Sequence, residues 1–438
     1  MRIAHLRQRL RDLGAKPCHE DRLLRGWSQV CSYDRKHSPA EAFFPLALRN
    51  ELPAIEAELN GLARLRSEYP ANGHGMDTTN NHGSHDRSPS STLMEPLAIR
   101  LSPQAGKSLV IPRIAGEGAN VALRGFSNNE GVARLLVELA DGQMVESVLL
   151  PRGGLCVSTQ VGCAVGCVFC MSGRNGLLRQ LGSAEIVAQV VLARKSRAVS
   201  KVVFMGMGEP AHNLDNVLEA IQLLGTQGNI GHKNLVFSTV GDLRVFERLM
   251  EGLPLPKPSP QSSDGTTSHS ASPSKNDGQA AGYPASGRGG EREKQLLIPA
   301  VKPALAVSLH TTDAALRARL LPRAPQIAIE ELAERAEVYA RATGYPVQYQ
   351  WTLIEGVNDS DAEVERIAQL LSGKYAVMNF IPFNEVDGLA YRRPSPERTA
   401  FMAHSLLRHG ILARIRDSAG QEIEGACGQL RARAVTAK

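Results

Sequence analysis

Four of the seven cysteines of this 438-residue chain fall in one stretch, Cys156-Val157-Ser158-Thr159-Gln160-Val161-Gly162-Cys163-Ala164-Val165-Gly166-Cys167-Val168-Phe169-Cys170. The last three have the spacing C-x3-C-x2-C. Three thiolates in a tight loop can hold three irons of a [4Fe-4S] cluster and leave the fourth iron open to bind a substrate or cofactor directly. Further along, short apolar runs end in polar residues. Gly206-Met207-Gly208-Glu209-Pro210 has two glycines, which let a ligand approach the backbone, and a carboxylate able to accept a hydrogen bond from an ammonium group. Other runs end in Ser238-Thr239-Val240-Gly241, Ser308-Leu309-His310 and Ile381-Pro382-Phe383-Asn384. Each polar residue alone could be a strand-end cap; their repeated placement argues for one shared site.

Such a site needs elements that bring these ends together. Strands are predicted at 155–159, 201–205, 235–239, 304–309, 347–353 and 376–381, separated by helices at 184–195, 214–224, 243–250, 328–342 and 361–371. Six β/α units in sequence imply a parallel sheet with right-handed crossovers. A sheet of this kind curls into a partial or complete barrel that carries its chemistry at the C-terminal ends of its strands. Glu209, Ser238, Ser308, His310 and Asn384 then converge on the rim that bears the cysteines. The fold class is therefore α/β, a partial (β/α)6 TIM-type barrel, with its core over residues 156–430.

Other segments surround that core. Residues 1–68 read as a helical accessory domain: Ile3, Leu6, Leu10 and Leu13 form an apolar stripe with arginines largely off it. Residues 69–92 are rich in Asn, Gly, His, Ser and Asp and read as a disordered linker. Residues 93–155 read as a β-hairpin extension, with Asp141-Gly142 turning between the runs 133–139 and 144–150. Residues 254–293, dense in Pro, Ser and Gly, read as a disordered insertion in the connection between the third and fourth core strands.

Composition narrows the class. Hydrophobic content of 42% is that of a soluble globular protein, and no apolar run approaches the roughly 18–20 residues of a membrane span. The odd, clustered cysteines do not make a disulfide framework, and the N-terminus lacks an apolar signal region, so a reducing cytoplasm is expected. A formal net charge of +6 suits a polyanionic partner, whereas 5% aromatics do not provide a surface for stacking many bases.

Taken in order, C-x3-C-x2-C, Gly206-Met207-Gly208-Glu209-Pro210 with Asn213, Ser238-Thr239-Val240-Gly241, Ser308-Leu309-His310, Gly356-Val357-Asn358-Asp359, Ile381-Pro382-Phe383-Asn384 and Ala426-Cys427-Gly428-Gln429-Leu430 make the chain resemble the RlmN/Cfr family of radical S-adenosylmethionine RNA methyltransferases. The match runs from about Val132 to Leu430, outside the insertion. It implies that Cys163, Cys167 and Cys170 hold a [4Fe-4S] cluster whose open iron chelates S-adenosylmethionine, and that reductive cleavage gives a 5′-deoxyadenosyl radical. It implies cofactor contacts from Gly208, Glu209, Ser238, Ser308, Leu309, His310 and Asn384. By the same resemblance, Cys427 is methylated on sulfur and its methyl then adds, as a methylene radical, to C2 or C8 of adenine. Cys156 resolves the resulting RNA–protein adduct with a disulfide to Cys427, and Glu146 matches the family's proton acceptor.

The resemblance further implies 23S rRNA and tRNA as substrates, an electron donor such as flavodoxin or ferredoxin, and a monomeric enzyme. The chain departs from the family pattern at Ala419, where an arginine is usual before Gly420, at Gln421-Glu422-Ile423-Glu424, at Arg134-Leu135 and in the short loop 151–155. These changes leave the RNA substrate and the choice between C2 and C8 open. Two other readings stand beside this one: a radical enzyme acting on a non-RNA substrate, and an inactive iron–sulfur protein that binds RNA.

Overall fold

The computed structural model describes residues 1–34, 39–70, 76–77, 132–253, 301–385 and 389–416. Four helices come first: α1 (Ile3–Asp12), α2 (Pro17–Gln29), α3 (Ala40–Phe43) and α4 (Leu46–Gly61). The strands β1 (Ala63–Pro70), β2 (Met76–Asp77), β3 (Ala133–Leu139), β4 (Met144–Leu150), β5 (Gly154–Cys156), β6 (Gln160–Gly162) and β7 (Leu177–Gln180) follow. From there strands and helices alternate: α5 (Ser183–Arg194), β8 (Lys201–Phe204), α6 (Leu214–Gly225), β9 (Leu235–Thr239), α7 (Leu243–Met250) and β10 (Ala304–Ser308). The chain continues with α8 (Ala314–Leu320), α9 (Ile329–Thr343), β11 (Val347–Leu353), α10 (Asp361–Leu371), β12 (Ala376–Pro382), α11 (Pro396–Arg408) and β13 (Leu412–Ile415).

Eleven strands form one sheet in the order β13-β12-β11-β10-β9-β8-β5-β4-β3-β1-β2. From β5 to β13 neighbours are parallel, and β4, β3, β1 and β2 extend the sheet antiparallel. The class is thus α/β with a partial barrel, as the alternation of elements requires. One face buries Phe204, Phe237, Tyr349, Trp351 and Phe380 beneath the helices. The other face is lined by the smaller Cys156, Val203, Val236, Ala304 and Ala306, as the concave side of a curled sheet demands.

Three expectations need correction. The helical reading of residues 1–68 ends at Gly61, because Ala63 to Arg66 alternate apolar and basic and form β1, which pairs with β3 from Ala63↔Leu139 to Pro70↔Ala133. Period two fits a strand with one buried face. The first residues of the 69–92 linker belong to this ribbon, since Met76 and Asp77 pair with Glu68 and Ser67; the rest of that segment lies outside the described residues. The N-terminal helices share the main apolar core with the sheet, Ile3, Leu6 and Leu10 joining Ile186 and Leu224.

The parallel sheet has a seventh strand, β13, in register with β12 through Val377↔Leu412. With only four residues, one of them Arg414, it carries too little periodicity to stand out in the sequence. Its first strand is short: β5 stops at Cys156, after which the backbone turns toward the Gly206 loop, Val157 N donating to Val203 O at 3.0 Å and Thr159 N to Met207 O at 2.8 Å. The 133–150 hairpin forms as read, with Gly142 at φ +78° in the turn. The 254–293 insertion lies outside the described residues.

Candidate active site

The cysteine loop hangs from a small ribbon. β6 and β7 pair antiparallel, from Gln160↔Gln180 to Gly162↔Leu177, and residues 163–176 bulge between them. A Cβ on Gly162 would lie 2.0 Å from Gly176 O, and Gly162 has φ +86°, so only glycine closes the base of this loop. Cys163 N donates to Gly176 O at 3.1 Å and Cys170 N to Cys167 O at 3.0 Å. The loop's outer side is held by α8 and the turn after it: Val168 N donates to Leu320 O at 3.1 Å, Arg323 N to Val165 O at 3.3 Å and Arg323 Nη1 to Ala164 O at 3.0 Å. Cys163, Val165, Val240, Leu320, Leu321 and Phe383 form an apolar cluster at the barrel mouth.

Burial pushes the Cys163 thiol up to about 12, and the charge of Cys170 adds to the shift. Burial also raises Cys167, again with Cys170 and Cys163 adding to it. The Cys163 and Cys167 thiols therefore resist ionisation unless a cationic group neutralises them. An all-sulfur donor set selects a soft metal or an iron–sulfur cluster. Among the described residues no group of three or more His, Cys, Asp or Glu side chains is already drawn together to hold a metal ion. The loop therefore gathers the thiols without closing them.

Glu209 sits within electrostatic reach of Cys163 and Cys167. Its carboxylate accepts from Ala211 N and Val240 N, both at 3.0 Å, and its own N–H donates to Gln160 Oε1 at 2.8 Å. Complete burial raises its pKa to about 7, opposed by hydrogen bonds from the Thr239 side chain and these amides. Gly208 next to it has φ +106°, and a Cβ there would lie 2.7 Å from both Thr159 Oγ1 and Gln160 Cβ. That Thr159 hydroxyl is buried without a partner. A desolvated carboxylate beside an orphaned hydroxyl fits an ammonium-bearing ligand such as the amino end of S-adenosylmethionine.

The other rim residues arrive from neighbouring strands. Ser238 lies on β9 and Ser308 on β10, both on the concave face. Leu309 turns its side chain into the main core, so what it offers a ligand is its backbone. His310 adopts φ +63°, and its Nδ1 accepts from Thr352 N at 2.9 Å. Burial, with Arg317 adding to it, lowers its pKa to about 3, so the ring is neutral with its proton on Nε2. Phe169 of the cysteine loop meets this ring edge-on at 4.8 Å. Asn384 follows Phe383, whose N–H donates to Leu353 O at 2.9 Å. The cysteine loop, Glu209, His310 and the Asn384 turn thus share one mouth.

Deeper in the barrel lie Cys156 and Glu146. Cys156 packs among Val148, Val203 and Val236. Val148 pairs with Cys156, and Glu146, two residues before Val148 on β4, shares its face of the sheet. The Glu146 carboxylate is ion-paired with Arg134 Nη2 at 2.6 Å, both side chains 2% exposed. Ser158 Oγ donates to Glu146 O at 2.5 Å and accepts from Met207 N at 2.9 Å, tying β4 to the loop that carries Glu209. Gln189 of α5 braces the same junction, donating to Ser158 O and accepting from Ser158 N, both at 2.9 Å.

Residues 157–267 match the radical SAM superfamily. A probable RNA methyltransferase of Azoarcus sp. is 55% identical over 99% of this chain and 95% of its own length. One of Methylibium petroleiphilum is 54% identical over 99% and 94%. The chain belongs to the RlmN/Cfr family of radical S-adenosylmethionine RNA methyltransferases. A crystal structure of a radical SAM methyltransferase from Sphaerobacter thermophilus, 32% identical, covers 69% of this chain and 78% of that one at a TM-score of 0.55.

As an RlmN/Cfr-family enzyme the protein is a radical methyltransferase whose cofactors are a [4Fe-4S] cluster and S-adenosylmethionine. No helix among the described residues is long and apolar enough to cross a membrane. Of the family positions, Cys427, Ala419 and Gln421 to Glu424 lie outside the described residues. At Arg134 the departure from the family pattern places a guanidinium against Glu146. The sequence reading missed Thr159, because one hydroxyl in the polar run Ser158-Thr159-Gln160 carries no motif. It also missed α8, whose only signals are the Asp313 N-cap, accepting from Leu316 N at 2.6 Å, and the Leu316–Leu320 spacing.

Proposed function

We propose that this enzyme adds a methyl group to C2 or C8 of an adenosine in RNA, with 23S rRNA the first candidate and tRNA the second. In this reading Cys427 is the methyl carrier and Cys156 the resolving thiol. The observation that supports it best is the placement of Cys156 and Glu146 on one buried face of the sheet, away from the thiol loop yet tied through Ser158 to the loop that carries Glu209. An enzyme that only cleaved its cofactor would need neither. C2 and C8 of adenine are poor nucleophiles, so transfer needs a radical route.

Cys163, Cys167 and Cys170 would hold the cluster, which when bound supplies the electron and the open iron for reductive cleavage of S-adenosylmethionine. Gly208 and Glu209 would take the amino end of that cofactor, with Ser238, Ser308, Leu309, His310 and Asn384 along the rest. The neutral His310 ring can donate from Nε2. Glu146 would accept the proton lost from the adenine ring carbon once the adduct has formed; in the present structure its carboxylate is paired with Arg134. Once the adduct radical has given up one electron, the Cys156 thiolate would attack the sulfur of Cys427 and break its bond to the methylene carbon; that carbon takes up a proton as methylated RNA leaves, and a Cys156–Cys427 disulfide remains. A flavodoxin- or ferredoxin-type donor, a monomeric state and a cytoplasmic location complete the proposal.

Two measurements test it. Nucleoside mass spectrometry of rRNA and tRNA, from cells with and without the protein, should show one methyladenosine that depends on it; identical profiles would remove the RNA-methylation reading. The Cys156→Ala enzyme should accumulate a covalent RNA adduct, seen as a slow band on a denaturing gel that collapses with ribonuclease. Free-running protein at every time point would count against Cys156 as the resolving thiol.

A further inference from the structure

We propose that Arg317 is a positioning residue whose fixed positive charge raises the reduction potential of the cluster held by Cys163, Cys167 and Cys170. This rests on the assignment of those three thiols to the cluster. Arg317 lies on α8, between Leu316 and Leu320, which pack against the cysteine loop, and Leu320 O receives Val168 N from that loop. The side chain is 5% exposed. Its Nη2 donates to Val240 O and to Ser308 O, the latter at 3.3 Å. Those carbonyls stand at the ends of β9 and β10, so the guanidinium is fixed where the rim meets the thiol loop.

Capping two carbonyls does not account for the residue. A neutral donor would serve them without the cost of burying a cation. The Arg317 Nε is buried with no hydrogen-bond partner, and its Nη2 bonds go to carbonyls rather than to a carboxylate. Burial accordingly lowers its pKa, and the groups that pull it back up are Cys167 and then Glu209. The negative charge that would compensate this cation is therefore that of the thiol loop and its neighbour. A cluster on three thiolates gains one more negative charge on one-electron reduction, so an adjacent fixed cation stabilises the reduced form over the oxidised one. The electron comes from the one-electron donor of the proposed reaction, and no proton moves.

Wild-type, Arg317→Gln and Arg317→Lys proteins reconstituted anaerobically separate the possibilities, by iron and sulfide content and by redox titration followed by electron paramagnetic resonance. Gln retains a donor for the carbonyls and loses the charge. Iron content is expected at the wild-type level, with the reduced-to-oxidised ratio at fixed potential about tenfold lower, equivalent to about 59 mV for one electron. Lys retains the charge and should stay within a few-fold of wild type. Iron-replete Arg317→Gln with an unchanged ratio overturns the proposal. If the Gln variant binds no iron, the Lys variant decides: loading at the wild-type potential sustains the charge role, and failure of both leaves only a packing role and overturns it. Wild-type protein that binds no iron would instead overturn the cluster assignment.

Discussion

Replacing Cys163, Cys167 and Cys170 together by Ala should lower the iron content of anaerobically reconstituted protein from about four per chain to near zero and abolish cleavage of S-adenosylmethionine. The loop is anchored by backbone contacts from both sides, at Gly176 O below and Leu320 O above, so its path does not depend on the thiols. Removing one sulfur from each site should cost on the order of 1 kcal/mol of apo-protein stability per substitution, the central value for single changes. The triple variant should therefore remain folded by circular dichroism while losing its cluster. Burial makes the Cys163 and Cys167 thiols hard to ionise, so loading should be slow near neutral pH and faster in mild alkali. Unchanged iron in the triple variant would place the cluster elsewhere in the chain.

The parts of this site that were legible in the sequence share a physical reason. Parallel strands are buried on both faces, so Leu235–Thr239 and Val347–Leu353 stand out as unbroken strand-like runs. The polar residues that end such strands are the ones a barrel presents at its active rim. The hairpin was equally plain, because Asp-Gly between two apolar runs has one common solution. Tertiary pairing decided what was missed. β1 is a strand because β3 lies beside it, and β13 because β12 does; four to eight residues with one or two arginines carry little signal of their own.

Side-chain direction was also beyond the sequence. Leu309 was expected among the cofactor contacts, yet its side chain serves the core. Arg317 and Thr159 matter through what they lack, a carboxylate bonded to one and any partner for the other's hydroxyl, and a missing partner appears only in three dimensions. Arg134 reads in the sequence as a departure from a family pattern; in the fold it neutralises Glu146.

Glu209→Gln should weaken S-adenosylmethionine binding to the reconstituted enzyme by roughly 30- to 1000-fold, about 2–4 kcal/mol, the range for removing one partner of a buried charge-assisted contact. The same substitution has an opposite, pH-dependent effect on the protein without its cofactor. The folded-state pKa of about 7 lies above the ordinary glutamate value of 4.5. Between these values the folded protein holds a proton that the unfolded chain has released, so this site adds stability as pH falls and loses it as pH rises through 7. At pH 8 the wild-type protein bears the whole desolvation cost, at most roughly 3 kcal/mol at 1.36 kcal/mol per pKa unit. Gln has no such cost, although its amide turns a donor toward Val240 N or Ala211 N and forfeits one bond. Thermal melts of both proteins from pH 5 to pH 8 should therefore diverge, wild type losing ground to Glu209→Gln with rising pH, and added S-adenosylmethionine should restore wild type alone. A stability difference that stays constant with pH would mean that Glu209 is not the buried, uncompensated carboxylate that the ammonium group of the cofactor requires.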